Sequence, residues 1–279
     1  MSTRILERNK CAPVLHVADP LSELKPPLKW AGGKRWLVPY LQDLWQFHRN
    51  RRLVEPFVGG LAVSLGLQPK RVLLNDANPH LINFYHWLQR GLQVTLPMRN
   101  SRTLYDAHRK HFNTLVATGD IHSFTAASLF YFLNRTGFNG LCRFNSDGFF
   151  NVPFGRYNNI NYTTDFSSYH NHLQDWEFVH GDFAALDLKP SDFVYADPPY
   201  DVEFTNYSKD AFTWEDQVRL AQRLTEHPGP VVISNQATER IVKLYKSLGF
   251  ELDFLKAPRR ISCDGNRAPA LEVIALKNT

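Results

Sequence analysis

Short apolar runs recur along this chain with helical stretches between them, and that alternation leaves few architectures open. Leu53-Val54-Glu55-Pro56-Phe57 leads into Gly59-Gly60, and Leu61-Ala62-Val63-Ser64-Leu65 follows with helical propensity. Arg71-Val72-Leu73-Leu74-Asn75-Asp76 ends on an acid, and from Asn78 to Arg90 the residues Leu81, Ile82, Tyr85 and Leu88 keep helical spacing. The rhythm resumes with strands at 176–180, 192–196 and 230–234, and with helices from Trp214 to Thr225 (Thr213 as N-cap) and from Thr238 to Leu248. Residues 250–255 and 270–276 read as a closing strand pair. The pattern predicts an α/β fold: a mostly parallel sheet covered on both faces.

Residues 92–172 break the rhythm. Helical stretches at about 101–117 and 123–135 give way to the turn dipeptides Asn139-Gly140 and Asp147-Gly148. The second lies between Leu141-Cys142-Arg143-Phe144 and Phe149-Phe150-Asn151-Val152 and predicts a hairpin. Many of the chain's aromatics fall between Phe124 and Tyr169, a local density beyond what a connecting loop needs. The chain therefore divides into an irregular extension (1–25), a sheet domain in two pieces (26–91 and 173–279) and an inserted module (92–172).

With 32 Lys and Arg against 27 Asp and Glu, the net charge of +5 permits a polyanionic partner without requiring one. No apolar stretch is long enough for a transmembrane helix, and the first residues carry charges where a secretion signal needs an apolar run. Cys11, Cys142 and Cys263 are odd in number and widely spaced, which argues against a disulfide framework or a cysteine zinc site and for a reducing cytoplasm. His108 with His111, and His170 with His172, mimic metal pairs but have no acid or Cys companion, so no metal is expected. Arg49, Arg51 and Arg52 beside His48 fit a solvated turn or a phosphate contact.

The strongest chemical signal is Asp197-Pro198-Pro199-Tyr200, placed where an apolar strand ends. Ligands of open α/β sheets sit outside the carboxyl ends of strands. Each proline forces its predecessor out of the helical region, and neither donates an N–H. The segment thus offers rigid acceptors and an aromatic plate. Alkylation of an exocyclic base amine needs this: its lone pair is delocalised into the ring, and two acceptors, the Asp197 carboxylate and the Pro198 carbonyl, can hold its hydrogens and free that pair. The plain alternative is a Pro-Pro loop closing a strand.

Glu55-Pro56-Phe57-Val58-Gly59-Gly60 and Asp76, at the ends of adjacent predicted strands, supply the elements of an adenosine crevice, with the acid on ribose hydroxyls. His180-Gly181-Asp182-Phe183 adds an acid that could meet an adenine amino group. Lys29-Trp30-Ala31-Gly32-Gly33-Lys34 invites a phosphate-loop reading, which fails because Leu28 stands where Gly is needed and Arg35 where Ser or Thr is needed.

Taken in order, Lys29–Lys34, Glu55–Gly60 and Asp197–Tyr200 resemble the motifs of Dam-type DNA adenine-N6 methyltransferases. Residues 138–145 and 149–157 resemble that family's target-recognition hairpin, and Arg259-Arg260-Ile261-Ser262 resembles its late C-terminal segment. The resemblance covers roughly residues 26–277 and implies a Rossmann-like methyltransferase sheet with an inserted recognition domain. It implies S-adenosylmethionine as methyl donor, held by Trp30, Gly33, Lys34, Glu55, Phe57, Gly59, Asp76, Asp182, Phe183 and Asp197. Asp197, Pro198, Pro199 and Tyr200 would be catalytic. Double-stranded DNA would be met by Lys29 and Arg143 on guanines and by Phe138, Asn139 and Leu141 at the opened stack, with the target adenine flipped out to reach Tyr200. The family's frequent target is GATC. For Arg143 a solvated hairpin cation, and for Phe138 a core position, remain the alternatives. A cytoplasmic monomer without membrane or metal partners is expected. Cytosine-N4 or RNA methylation, or silent DNA binding, are the competing functions.

Overall fold

A computed structural model describes residues 24–201, 212–258 and 270–279. Among these residues seven strands form one sheet: β1 (Leu53–Glu55), β2 (Val72–Asp76), β3 (Glu177–His180), β4 (Phe193–Ala196), β5 (Val231–Gln236), β6 (Glu251–Ala257) and β7 (Ala270–Lys277). Their order is β3-β2-β1-β4-β5-β7-β6. The first five are mutually parallel, and β7 runs antiparallel between β5 and β6. Strands β1 and β4 are buried throughout, as strands covered on both faces must be. The order reverses between β1 and β4, where Val54 lies beside Val194. That reversal opens a crevice at the carboxyl ends of the two strands.

Alternate residues of each strand point to opposite faces. One face carries Leu53, Leu74, Phe193, Tyr195 and Val232 and is covered by α1 (Val38–Trp45) and α3 (Pro79–Gln89). The other carries Val54, Leu73, Val194, Val231 and Ile233 and is covered by α7 (Trp214–Glu226) and α8 (Glu239–Ser247). Helix α2 (Ala62–Leu67) follows the β1 turn. Helix α3 starts where Asn78 accepts from the N–H groups of His80 and Leu81, with Pro79 behind it. Thr213 and Asp216 cap α7 reciprocally. Helices α1 and α6 (Ser167–Leu173) have no side-chain N-cap, so the usual start signal is missing from their sequences.

The inserted block contains α4 (Arg102–Thr118), α5 (Phe124–Thr136) and α6. It has no core of its own. Phe130, Tyr131, Phe150, Val152 and Phe166 belong to the same apolar cluster as Leu53, Leu74 and Tyr195. Phe84 of α3 stacks on Tyr131 of α5, with centroids 5.8 Å apart and planes 2° apart. Phe130, Tyr131, Phe132, Phe150, Phe166 and Tyr169 are therefore core and Phe124, Phe144 and Phe154 pack against it, whereas Phe138 and Tyr162 stay exposed.

The hairpin is looser than a two-residue Asp-Gly turn would make it. Its arms pair only at Phe144 with Phe150, and the Arg143 carbonyl accepts from Asn151 N–H. The turn spans 145–149: the Asn145 side chain accepts from the N–H groups of Asp147 and Phe149. Residues 1–23 of the expected extension, the 259–262 segment, Cys11 and Cys263 lie outside the described residues.

Candidate active site

The sheet's reversal brings together residues far apart in sequence. Asp197 leaves the end of β4 half-buried. Its Oδ1 accepts from Ser234 Oγ of β5 at 2.9 Å and faces Lys34 Nζ at 2.9 Å. Tyr195 supports Ser234, with the two oxygens 2.9 Å apart. Among the described residues Asp197 Oδ2 has no hydrogen-bond partner, and neither has the Pro198 carbonyl. The next carbonyl is occupied: Gln217 Nε2 of α7 donates to Pro199 O at 2.7 Å, and Asn235 Nδ2 holds Gln217 at 3.0 Å. Burial pushes the Asp197 carboxyl above its usual range, and the Lys34 ammonium opposes that shift.

Tyr200 is fixed at both ends. Its hydroxyl donates to Glu272 of β7, and its ring carries Lys34 Nζ at 4.7 Å from the centroid. Lys34 is 3% exposed and also lies 3.9 Å from Glu272. Its ammonium donates to Gly32 O at 2.9 Å, which curls the loop back on itself.

The same loop seats Trp30 on the turn after β1. A Cβ at Gly59 would meet Trp30 Nε1 at 2.7 Å, and one at Gly60 would meet Trp30 Cβ at 2.7 Å. Gly59 also has φ +47, so the turn needs glycine for its backbone as well as for clearance. Asp76, at the end of β2, accepts from Gly59 N–H at 3.1 Å and Asn78 N–H at 3.0 Å. Its carboxyl is raised chiefly by burial. Glu55 is buried beneath the turn, accepts from Ser64, and is pushed by burial to a pKa of about 8. Gly33 N–H donates to Trp30 O at 3.3 Å.

An aromatic wall closes the crevice. Phe57 meets Phe183 at 5.5 Å and Phe212 at 5.4 Å between centroids. Asp182 sits beside it, exposed, paired to Arg219 at 2.8 Å and accepting from Ala184 N–H at 2.7 Å. The Arg219 guanidinium in turn lies 4.4 Å from the Phe183 ring centroid.

Lys29 stands at the other end of the loop, under the 138–140 turn. A Cβ on Gly140 would lie 2.3 Å from Lys29 Cβ. Asn134 brackets the Lys29 peptide, accepting from its N–H at 2.9 Å and donating to its carbonyl at 2.8 Å. Lys29 Nζ caps Arg135 O at 3.3 Å and lies 3.9 Å from the Tyr157 ring centroid. Burial, with Arg135 nearby, lowers its pKa. Phe138 is 44% exposed, which removes the core alternative. Asn139 takes the left-handed φ of +51, and Leu141 is half-buried. Arg143 is exposed, its Nε donating to Asn151 Oδ1 at 2.7 Å and its Nη2 to Asn151 O at 3.1 Å.

Of the basic run, Arg51 donates to Ser191 O and Arg52 pairs with Asp192 at 2.7 Å, so both tie the strand ends opposite the crevice. Among the described residues no group of three or more His, Cys, Asp or Glu is placed to hold a metal, and no helix is long and apolar enough to cross a membrane. Sequence reasoning missed Ser234, Gln217 and Glu272. Only Glu272 left a signal, as an acid inside the apolar run Leu271–Leu276.

The family described as "D12 class N6 adenine-specific DNA methyltransferase" matches residues 30–260. The retron Ec67 DNA adenine methylase of Escherichia coli is 34% identical over 263 residues, covering 89% of this chain and 90% of that one. The DNA adenine methylase of Vibrio cholerae is 37% identical over 271 residues, covering 89% and 94%. The DNA N-6-adenine-methyltransferase of Escherichia phage P1 is 38% identical over 268 residues, a match to 89% of this chain but only 35% of that longer protein. The crevice at the strand reversal, the Asp197–Tyr200 segment within it and these likenesses agree: the chain is an enzyme of the D12 class of N6 adenine-specific DNA methyltransferases.

Proposed function

We propose that this chain transfers the methyl group of S-adenosylmethionine to N6 of adenine within GATC in double-stranded DNA, acting as a monomer on a base flipped out of the duplex. The observation that carries the reading is the state of Asp197. One carboxylate oxygen is held by Lys34 and Ser234, which leaves Oδ2 and the Pro198 carbonyl as a fixed pair of acceptors. Two acceptors suit the two hydrogens of an exocyclic amine. Their grip draws the nitrogen from planar toward tetrahedral and exposes its lone pair. The gain is orientation and preorganised electrostatics. Tyr200, locked by Glu272 and Lys34, offers a ring on which the base can stack.

The crevice suits the donor. The Gly59-Gly60 turn leaves no room for side chains beneath Trp30, Asp76 offers a carboxylate at the end of β2, and Phe57 and Phe183 give an apolar wall. Trp30, Gly33, Lys34, Glu55, Phe57, Gly59, Asp76, Asp182, Phe183 and Asp197 would hold it. S-adenosylmethionine, when bound, supplies an electrophilic methyl carbon on a sulfonium. Asp182 already has Arg219 as partner, so its use on an adenine amino group requires sharing or turning away from that guanidinium.

On the DNA side, Lys29 and Arg143 would read guanines through O6 and N7. Exposed Phe138 would fill the space vacated by the flipped base, with Asn139 and Leu141 beside it. The test is methylation of plasmid DNA with labelled donor, followed by mapping of the modified base. Label on adenine N6 within GATC is expected. Label on cytosine N4 or only on RNA, or donor binding without transfer to any DNA, overturns the reading.

A further inference from the structure

Asp201 follows Tyr200 directly, and its side chain is only 6% exposed. Both carboxylate oxygens accept from Arg240, one from Nε and one from Nη2, and Thr238 Oγ1 lies 3.5 Å from Oδ2. Arg240 belongs to the first turn of α8. Its guanidinium also lies 4.7 Å from the ring centroid of Trp214, the first residue of α7. One side chain therefore grips the chain on both sides of residues 202–211. Just before Trp214, Phe212 packs on Phe57 in the aromatic wall.

A half-exposed ion pair adds little to stability. Its forked, two-point geometry instead fixes position, and only guanidinium can supply the fork and lie on an aromatic ring together. Three other residues of the segment are held: 197 by Lys34 and Ser234, 199 by Gln217, 200 by Glu272. Arg240 secures its last member.

We infer that Arg240 is a positioning residue for methyl transfer: by joining Asp201 to Trp214 it sets the distance between Tyr200 and the Phe57–Phe212 wall. The inference rests on the reading of Asp197–Tyr200 as the catalytic segment. Loss of the fork frees Asp201 and Trp214 and lets the Phe212 side of the wall shift against the locked Tyr200 ring, and a small misplacement of this kind costs about 10–100-fold in rate.

The experiment compares wild type with R240Q, R240K, D201N and the D201N/R240Q double variant, reading kcat, KM for duplex, melting temperature and amide hydrogen exchange. R240Q is expected to lower kcat about 10–100-fold with KM for DNA unchanged within about twofold and melting within about 2 °C. R240K should recover part of the rate, and the double variant should be no slower than R240Q. Exchange should rise in peptides covering 197–201 and 212–216 alone. A kcat for R240Q near that of wild type, or additive losses in the double variant, overturns the inference. If wild type methylates no DNA yet exchange rises in those two peptides, the catalytic reading falls and the clamp stands. If wild type is active and exchange is unchanged, the clamp falls alone.

Discussion

Lys34 Nζ lies 2.9 Å from Asp197 Oδ1, and the lysine side chain is 3% exposed. The pair ties the loop ahead of α1 to the end of β4. Removing the cation alone leaves a shielded carboxylate without its counter-charge. Lys34→Met should therefore cost about 2–4 kcal/mol of stability and abolish methyl transfer. Urea unfolding of the purified variant checks the first, and a stability equal to wild type would contradict it.

Asp197→Ala should leave the fold intact and reduce methyl transfer by roughly 10²–10³-fold or more, since it removes the acceptor proposed for the amine. The pH profile gives a second check. Burial raises the Asp197 carboxyl, and the proposed mechanism uses its charged form as the acceptor. Activity is thus present above the folded-state pKa and lost as pH falls through it, so the acidic limb of kcat/KM should lie above the range of an ordinary aspartate. A limb at the ordinary position would show that another group governs the profile.

Glu55 adds a pH-dependent stability term of definite sign. Burial raises it from 4.5 to about 8. Its protonated form is favoured by folding, so its contribution is complete below about pH 4.5 and lost as pH rises through about 8. Glu55→Gln should flatten this dependence, narrowing the stability difference between acid and mildly alkaline pH by on the order of 5 kcal/mol. Parallel stability curves for the two proteins would place the titration elsewhere.

Donor binding should depend on the β1 turn. Trp30→Ala and Asp76→Ala should weaken binding of the donor analogue sinefungin more than binding of DNA. Gly59→Ala should do the same, because its Cβ would meet Trp30 Nε1 at 2.7 Å and its φ is +47. Calorimetric titration decides, and unchanged affinity in all three would move the crevice away from this turn.

Much of this architecture was legible in the chain. The apolar runs at 53–57, 71–76, 192–196 and 230–234 became β1, β2, β4 and β5, because strands covered on both faces must be apolar along their length. Asp197–Tyr200 stood out because two prolines after an acid at a strand end are rare. The residues that restrain it were not legible. Ser234 and Gln217 are ordinary polar residues in sequence, and only the pairing of β4 with β5 and the packing of α7 bring them to Asp197 and Pro199. Helix α1 carries no start signal because no side chain caps it, and the hairpin is less regular than its sequence implies because Asn145, rather than Asp147-Gly148 alone, organises its turn.

Arg143 separates base reading from phosphate binding. Asn151 holds its guanidinium through Nε and Nη2, which fixes its direction before any DNA arrives. Arg143→Ala should cost about 1–3 kcal/mol on GATC duplexes and far less on single-base variants of that site. Methylation efficiencies across the set decide: a uniform fall would make Arg143 a backbone contact, and no wild-type preference for GATC would remove the sequence assignment while leaving the adenine chemistry.

The apolar cluster that runs unbroken from Leu53 and Tyr195 through Phe84 to Tyr131 and Phe150 limits how the chain can be cut and rejoined. A segment with its own core could be exchanged between proteins like a cassette. Here a transplanted 92–172 segment would arrive without the α3 partners its aromatics were shaped against. A working chimera that exchanges this segment must therefore carry α3 with its graft.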